Sequence, residues 1–169
     1  MILAWNDRML VDSFLRAIRR QREKVRHLIR SKKVSRRKSD LELHYDGICA
    51  ERTVAEYLGI PYDPEILLGG DDYDLVLPDG RTVEVKFRDH PKGDFALMSD
   101  RLEDFKADIG VLVCAVYPEI GDNAILHCVG WITREEFAER CERVNYGYGD
   151  RLAVKQCDLH PMDTLRFAG

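Results

Sequence analysis

No apolar run in the 169-residue chain approaches the ~18–20 residues needed to span a bilayer, which excludes a transmembrane helix. The opening stretch, Met1-Ile-Leu-Ala-Trp-Asn-Asp-Arg8, lacks the basic-then-apolar order of a secretory leader. The five cysteines (Cys49, Cys114, Cys128, Cys141 and Cys157) are odd in number, widely spaced and without a C-x-x-C pair. Neither a disulfide framework nor a zinc cluster is therefore expected, and a reducing, cytoplasmic setting fits. The phosphate-cradling motifs G-x-x-x-x-G-K-[ST] and G-x-G-x-x-G do not occur, and no internal repeat is visible. What is present suits a packed core: 45% hydrophobic and 33% charged residues, in a length that accommodates one globular domain with an appendage.

Charge is distributed unevenly. Residues 1–40 carry 13 Lys and Arg against 4 Asp and Glu, whereas the remainder carries 13 against 26, so a local charge of +9 sits on a body of −13. A basic arm on an acidic body suits a polyanionic partner, or equally packing against the body of its own or a second copy. Residues 7–31 read as an amphipathic helix, with Val11, Phe14, Leu15, Ile18, Val25 and Ile29 on one stripe and Arg16, Arg19, Arg20, Lys24 and Arg30 on the other faces. The stripe is expected to bury, because an isolated helix of this length is marginal in water. The segment Ser31-Lys-Lys-Val-Ser-Arg-Arg-Lys38 follows as a linker or phosphate-contacting arm, with Arg36, Arg37 and Lys38 as candidate nucleic-acid contacts. Residues 1–38 thus form a basic helix and arm, and 39–169 an α/β core.

Ser39-Asp-Leu-Glu42 is a capping box and starts a helix to about Leu58, with Gly59 stopping it and Pro61 beyond. Short apolar runs at Ile66-Leu-Leu and Tyr73-Asp-Leu-Val-Leu77 read as strands, and Pro78-Asp-Gly80 as the turn into Thr82-Val-Glu-Val-Lys-Phe-Arg88. In that strand Val83, Val85 and Phe87 alternate with Glu84, Lys86 and Arg88. Ile109–Tyr117 is nearly all apolar, as a central strand is, and Ala124–Ile132 follows the Gly121-Asp-Asn123 turn. Thr133-Arg-Glu-Glu136 caps a helix to about Arg143, Asn145–Asp150 is a loop, and Leu152–Val154 a last short strand. The expected fold is α/β, with a mixed central sheet flanked by helices.

The chemistry concentrates on the hairpin. Asp74 on one strand faces Glu84 and Lys86 across strands separated by about 5 Å. Close carboxylates repel, a divalent cation relieves the repulsion, and hard oxygen ligands suit Mg²⁺, with Mn²⁺ as substitute. A neighbouring lysine can orient a water or stabilise developing negative charge. The triplet alone reads more readily as a surface hairpin held by a cross-strand salt bridge. Glu51 adds weight. At about 100° per residue it falls on the stripe of Gly47, Ile48, Val54, Ala55 and Leu58, while Glu42, Asp46, Thr53 and Glu56 fall on the far side. A carboxylate in a buried stripe needs a partner, either a metal or, more plainly, a salt bridge to Lys86.

Gly47-Ile-Cys-Ala-Glu-Arg-Thr-Val-Ala-Glu-Tyr-Leu-Gly59, followed by Asp74 and by Glu84-Val-Lys86, resembles the PD-(D/E)XK nuclease superfamily over about residues 39–132. The resemblance implies a restriction-endonuclease-like fold and Mg²⁺-dependent hydrolysis of phosphodiester bonds in DNA, by a bacterial or phage-type enzyme of the cytoplasm. It implies Asp74, Glu84 and the Val85 carbonyl as metal ligands, Lys86 as the residue assisting the attacking water, and Glu51 as support for a second metal or its waters. Tyr73 stands where the name-giving proline would be, and Asp71 and Asp72 lie close enough for the ligand assignment to slip to Asp72.

Around this set, Arg88 reads as a phosphate clamp or an ordinary exposed arginine, and His90 and Lys92 as substrate contacts on the next loop. His44 reads as a supporting donor or a partly buried helix histidine, His127 as a core histidine and Trp131 as packing. Tyr146-Gly-Tyr-Gly149 reads as a turn or a base-stacking loop. The expected partner is DNA, not a membrane, with the N-terminal helix adding phosphate contacts or homodimer contacts. The competing expectation is a non-catalytic nucleic-acid-binding or assembly module on the same fold.

Overall fold

The computed structural model describes residues 7–27, 38–62, 72–97, 99–116, 125–147 and 149–167. Two helices lead the chain, α1 (Asp7–Arg26) and α2 (Asp40–Leu58). The capping box at the start of α2 is formed: Glu42 N–H donates to Ser39 Oγ at 3.2 Å, and Ser39 N–H donates to Glu42 Oε2 at 2.6 Å. Gly59 ends the helix at φ 68°, a left-handed conformation that costs glycine least.

Strands β1 (Leu75–Val76) and β2 (Thr82–Arg88) form the expected hairpin. After β3 (Phe95–Ala96) the long strands β4 (Ile109–Val116) and β5 (Ile125–Thr133) follow. The main sheet has the order β1-β2-β4-β5, with β2 parallel to β4 and the other pairs antiparallel. It is therefore mixed, as expected. The chain between the parallel pair includes β3 and a single 3₁₀ turn at Leu102–Asp104.

Helix α3 (Arg134–Arg140) starts on the second capping box, with Glu136 N–H donating to Thr133 Oγ1 at 3.1 Å. It ends three residues short of Arg143, because Glu142–Asn145 is strand β6, paired antiparallel with β7 (Asp150–Val154). With β3 these make a second sheet, β3-β7-β6, where the sequence suggests one lone strand. The segment Asn145–Asp150 joins β6 to β7, and its Gly147 and Gly149 take positive φ.

Two cores lie on opposite faces of the main sheet. On one, Leu75, Val83, Val85, Val111 and Val113 pack against Ala50, Val54 and Ala55 of α2. On the other, Leu112, Cys114 and Ile132 meet Phe95, Phe105 and Phe137, whose ring centroids lie 5.2–5.7 Å apart. Gly110 of β4 lies so close beneath the Phe95 ring that a Cβ there would collide with it.

Helix α1 packs on α2 mainly through small residues, and its apolar stripe takes part only in places, as where the Phe14 ring meets Tyr45 edge-on at 6.1 Å. Ser13 and Ala17 are fully buried, while Val11, Phe14, Leu15 and Val25 remain 46–64% exposed. The expectation that the stripe buries is therefore corrected for these four residues. Small side chains let the two helices approach, and Asp12 secures the contact by bonding Arg52 at 3.1 Å and Arg16 at 2.8 Å. This docking also buries Thr53, which bonds the Cys49 carbonyl and was expected on the far side of α2. His127 is likewise not a core residue, since it lies exposed on the edge strand β5. Trp131 does pack, with its Nε1–H shared between Pro161 O and Thr164 Oγ1 and its ring against His160. All five cysteines are free. Among the described residues no helix is long and apolar enough to cross a membrane.

The Ile66 run, the Gly121 turn, Asp71, Ile29, Arg30, Tyr148, Arg36 and Arg37 lie outside the described residues.

Candidate active site

The hairpin opens at Asp74. Strand β1 is only two residues long, and at its start the Asp74 N–H bonds the Val83 carbonyl at 2.8 Å. The next amide of β2 on that edge, Val85 N–H, donates at 2.6 Å to Asp74 Oδ2. A side-chain carboxylate thus stands at the sheet edge where strand backbone would otherwise continue. In an antiparallel ladder a residue turns its N–H and C=O to the same edge, so the Val85 carbonyl faces the same side.

This placement lets Asp74 feel groups from both faces. Burial raises its pKa well above the ordinary carboxylate value; the charges of Glu51 and then Glu84 raise it further, against the Val85 amide and Lys86. Glu51 comes from α2, on the face of Val83 and Val85. Glu84 and Lys86 alternate with those valines on β2 and pair with each other. Three side chains from α2 and the hairpin, Glu51, Glu84 and Lys86, therefore lie within electrostatic reach of the Asp74 carboxylate. The alternative ligand Asp72 is exposed and pairs with Lys106 at 2.5 Å.

Glu51 is 6% exposed, as its place on α2 requires. Its partner is not Lys86. Arg20 of α1 donates from Nη1 to Glu51 Oε1 at 3.3 Å, and Tyr62 Oη donates to Oε2 at 2.9 Å. Burial works to lower the Arg20 pKa, but Glu51, Tyr62 and Asp74 outweigh it and the net shift is upward. Burial and Glu51 together push the Tyr62 hydroxyl pKa upward, so it stays a neutral donor. Neither residue is apparent as a site residue from the sequence. The signal for Arg20 is its spacing of seven from Ser13 and three from Ala17, which puts it on the small-residue face that docks. Tyr62, just past Pro61, carries no such signal.

The surrounding candidates divide. Arg88 is partly buried, and its guanidinium donates to the carbonyls of Phe87, Asp94 and Ala96 at 2.9–3.1 Å. It thereby holds the loop after β2 rather than standing open to a ligand. Gly93 lies against the Arg88 stem so closely that a Cβ would collide with it. His90 and Lys92 are exposed on that loop, with His90 Nδ1 accepting the Lys92 amide at 3.1 Å. Lys38 pairs with Asp46 at 2.7 Å and Asp89 at 3.4 Å and lies 5.4 Å from the Phe87 ring centroid. These contacts place the end of the basic segment beside the His90–Lys92 loop. His44 is lowered to about 4 by burial and by Lys24 and Arg20, so it is neutral at pH 7. Tyr146 Oη donates to Asp94 Oδ2 at 3.1 Å.

Among the described residues no group of three or more His, Cys, Asp and Glu is gathered so as to cage a metal ion. A magnesium site does not need one, since Mg²⁺ usually takes one or two carboxylates and completes its shell with waters and substrate oxygens. Neither known protein-family models nor curated proteins give a match to this sequence.

Proposed function

We propose that this chain is a Mg²⁺-dependent deoxyribonuclease of the restriction-endonuclease-like, PD-(D/E)XK type. The observation that supports it most is the Asp74 carboxylate, held by the Val85 amide at a sheet edge and under the combined charge of Glu51, Glu84 and Lys86.

The residues suit the ion. Asp74 and Glu84 offer hard anionic oxygens, the Val85 carbonyl faces the same edge, and the acidic charge there exceeds what Lys86 offsets. These three residues would hold Mg²⁺, with Mn²⁺ as substitute. The bound ion would polarise a phosphoryl oxygen and make a water more acidic. The chain's own groups do the rest. The Val85 N–H keeps the Asp74 carboxylate in one orientation. Glu84 holds the Lys86 ammonium beside the site, where it orients the attacking water and stabilises charge developing on the phosphate. Arg88 supports the loop carrying His90 and Lys92, and Lys38 pairs with Asp89 at the start of the same loop. Phosphates along DNA would meet this positive side, and the free thiols suit a reducing bacterial cytoplasm, host- or phage-derived.

The test is cleavage of circular single-stranded, circular duplex, linear and branched DNA in Mg²⁺ or Mn²⁺. Asp74→Ala and Lys86→Ala, checked for folding by circular dichroism, are expected to cut at least ~100-fold more slowly. Full activity in both would remove the assignment. Cutting of closed circles would define endonuclease action. A non-catalytic binding module on this fold would bind DNA without taking up Mn²⁺ in its absence.

A further inference from the structure

We infer that Arg20 of the N-terminal helix stands in for a second metal ion, so that the site takes a single divalent cation and Glu51 is not a metal ligand. The inference rests on the nuclease reading and goes beyond it. It assigns α1 to the active site and gives Glu51 a different task from the one the superfamily resemblance implies.

The geometry carries it. Both carboxylate oxygens of Glu51 are engaged by donors, Oε1 by Arg20 Nη1 at 3.3 Å and Oε2 by Tyr62 Oη at 2.9 Å. A divalent ion on Oε1 would share that oxygen with a guanidinium, a like-charge contact inside a pocket where Glu51 is 6% exposed. The charge balance points the same way. Among the described residues, Glu51, Asp74 and Glu84 are opposed by Arg20 and Lys86, leaving one formal negative charge. One divalent ion turns this to +1, which matches the single charge of an incoming phosphodiester. Two ions would leave +3. Arg20 is delivered by a built contact: Ser13 and Ala17 are fully buried and Asp12 bonds Arg52, so α1 is seated one to two turns before Arg20. Arg20 is thus a positioning residue, which neutralises Glu51 and confines the cation to Asp74 and Glu84.

The experiment is Mn²⁺ titration of the full, DNA-free protein, with free Mn²⁺ counted by electron paramagnetic resonance and heats by calorimetry. The wild type is expected to bind one Mn²⁺ per chain. Glu51→Gln is expected to bind one with affinity within about threefold of wild type, whereas loss of a true ligand costs tenfold or more. Arg20→Met is expected to take up a second Mn²⁺, and Arg20→Met combined with Glu51→Gln to return to one. Two ions on the wild type, a tenfold loss in Glu51→Gln, or an Arg20→Met variant unchanged in count and affinity would overturn the inference and leave the nuclease reading standing. A wild type that binds no Mn²⁺ would overturn the nuclease reading itself. The Gln variant is nearly isosteric: its carbonyl oxygen can still accept from Arg20, while its NH2 can donate to the Tyr62 hydroxyl oxygen, so it tests the ligand role even if Arg20→Met loosens α1.

Discussion

Replacing Asp74 with Asn removes a carboxylate whose pKa is already raised by burial, Glu51 and Glu84. A carboxyl raised on folding binds its proton more tightly in the folded chain than in the unfolded one. Its contribution to stability is complete below the unfolded value of about 4 and is lost as the pH climbs through the folded value. Metal-free wild type is therefore expected to lose stability from mildly acidic toward neutral pH, and Asp74→Asn to flatten that slope and melt higher at about pH 8. A divalent ion reverses the ranking. An ion that binds only the folded state stabilises it by ~2.7 kcal/mol at a free concentration 100 times its Kd. Unfolding entropy of ~2.1 cal/mol/K per residue over 169 residues makes each kcal/mol worth about 3 °C, so the wild-type Tm should rise by ~8 °C with Mn²⁺. Asp74→Asn should move by less than about 2 °C, because one of two anionic ligands is gone. Thermal melts in Mn²⁺ and in chelator, at two pH values, read both effects. An equal Mn²⁺ shift in the variant, or a wild type indifferent to the ion, would refute the reasoning.

Three further outcomes are expected. Arg88→Met should cost ~2–3 kcal/mol in urea unfolding, because Phe87, Asp94 and Ala96 lose the donor their carbonyls share. Ala17→Leu should destabilise by ~1–3 kcal/mol through overpacking of the α1–α2 contact, whereas Leu15→Ser on the exposed stripe should change stability by less than ~0.5 kcal/mol in dilute protein. Arg36→Ala with Arg37→Ala should weaken DNA binding and flatten the log affinity–log salt slope by up to ~1.8, read by fluorescence anisotropy across a salt series. An unchanged slope would take the arm out of the DNA contact.

Much of the fold was legible because its signals are local. The boxes Ser39–Glu42 and Thr133–Glu136 start their helices, Gly59 stops α2, and the alternation from Thr82 to Arg88 sets both faces of β2. The burial of Glu51 followed from its angle on α2, and Asp74 came beside Glu84 because a hairpin register is set by its turn. The second sheet was not legible. In sequence Glu142 and Arg143 read as the end of a helix and Asn145 as the start of a loop, and residues 142–145 become a strand because β7 offers a ladder to pair with.

By itself, then, the sequence determined the helices and the main-sheet strands, the mixed α/β class and the presence of Glu51, Asp74, Glu84 and Lys86 on elements that can meet. Periodicity and capping are written in residues a few positions apart, so they survive in one dimension. Only the tertiary structure decided that α1 docks with Ser13 and Ala17 fully buried while most of its apolar stripe stays exposed, and that Glu51 pairs with Arg20 and Tyr62 while Lys86 pairs with Glu84. Those choices depend on how closely two helix backbones approach and on which long side chain reaches a buried charge first. Both depend on three-dimensional packing, which residue spacing along the chain does not encode.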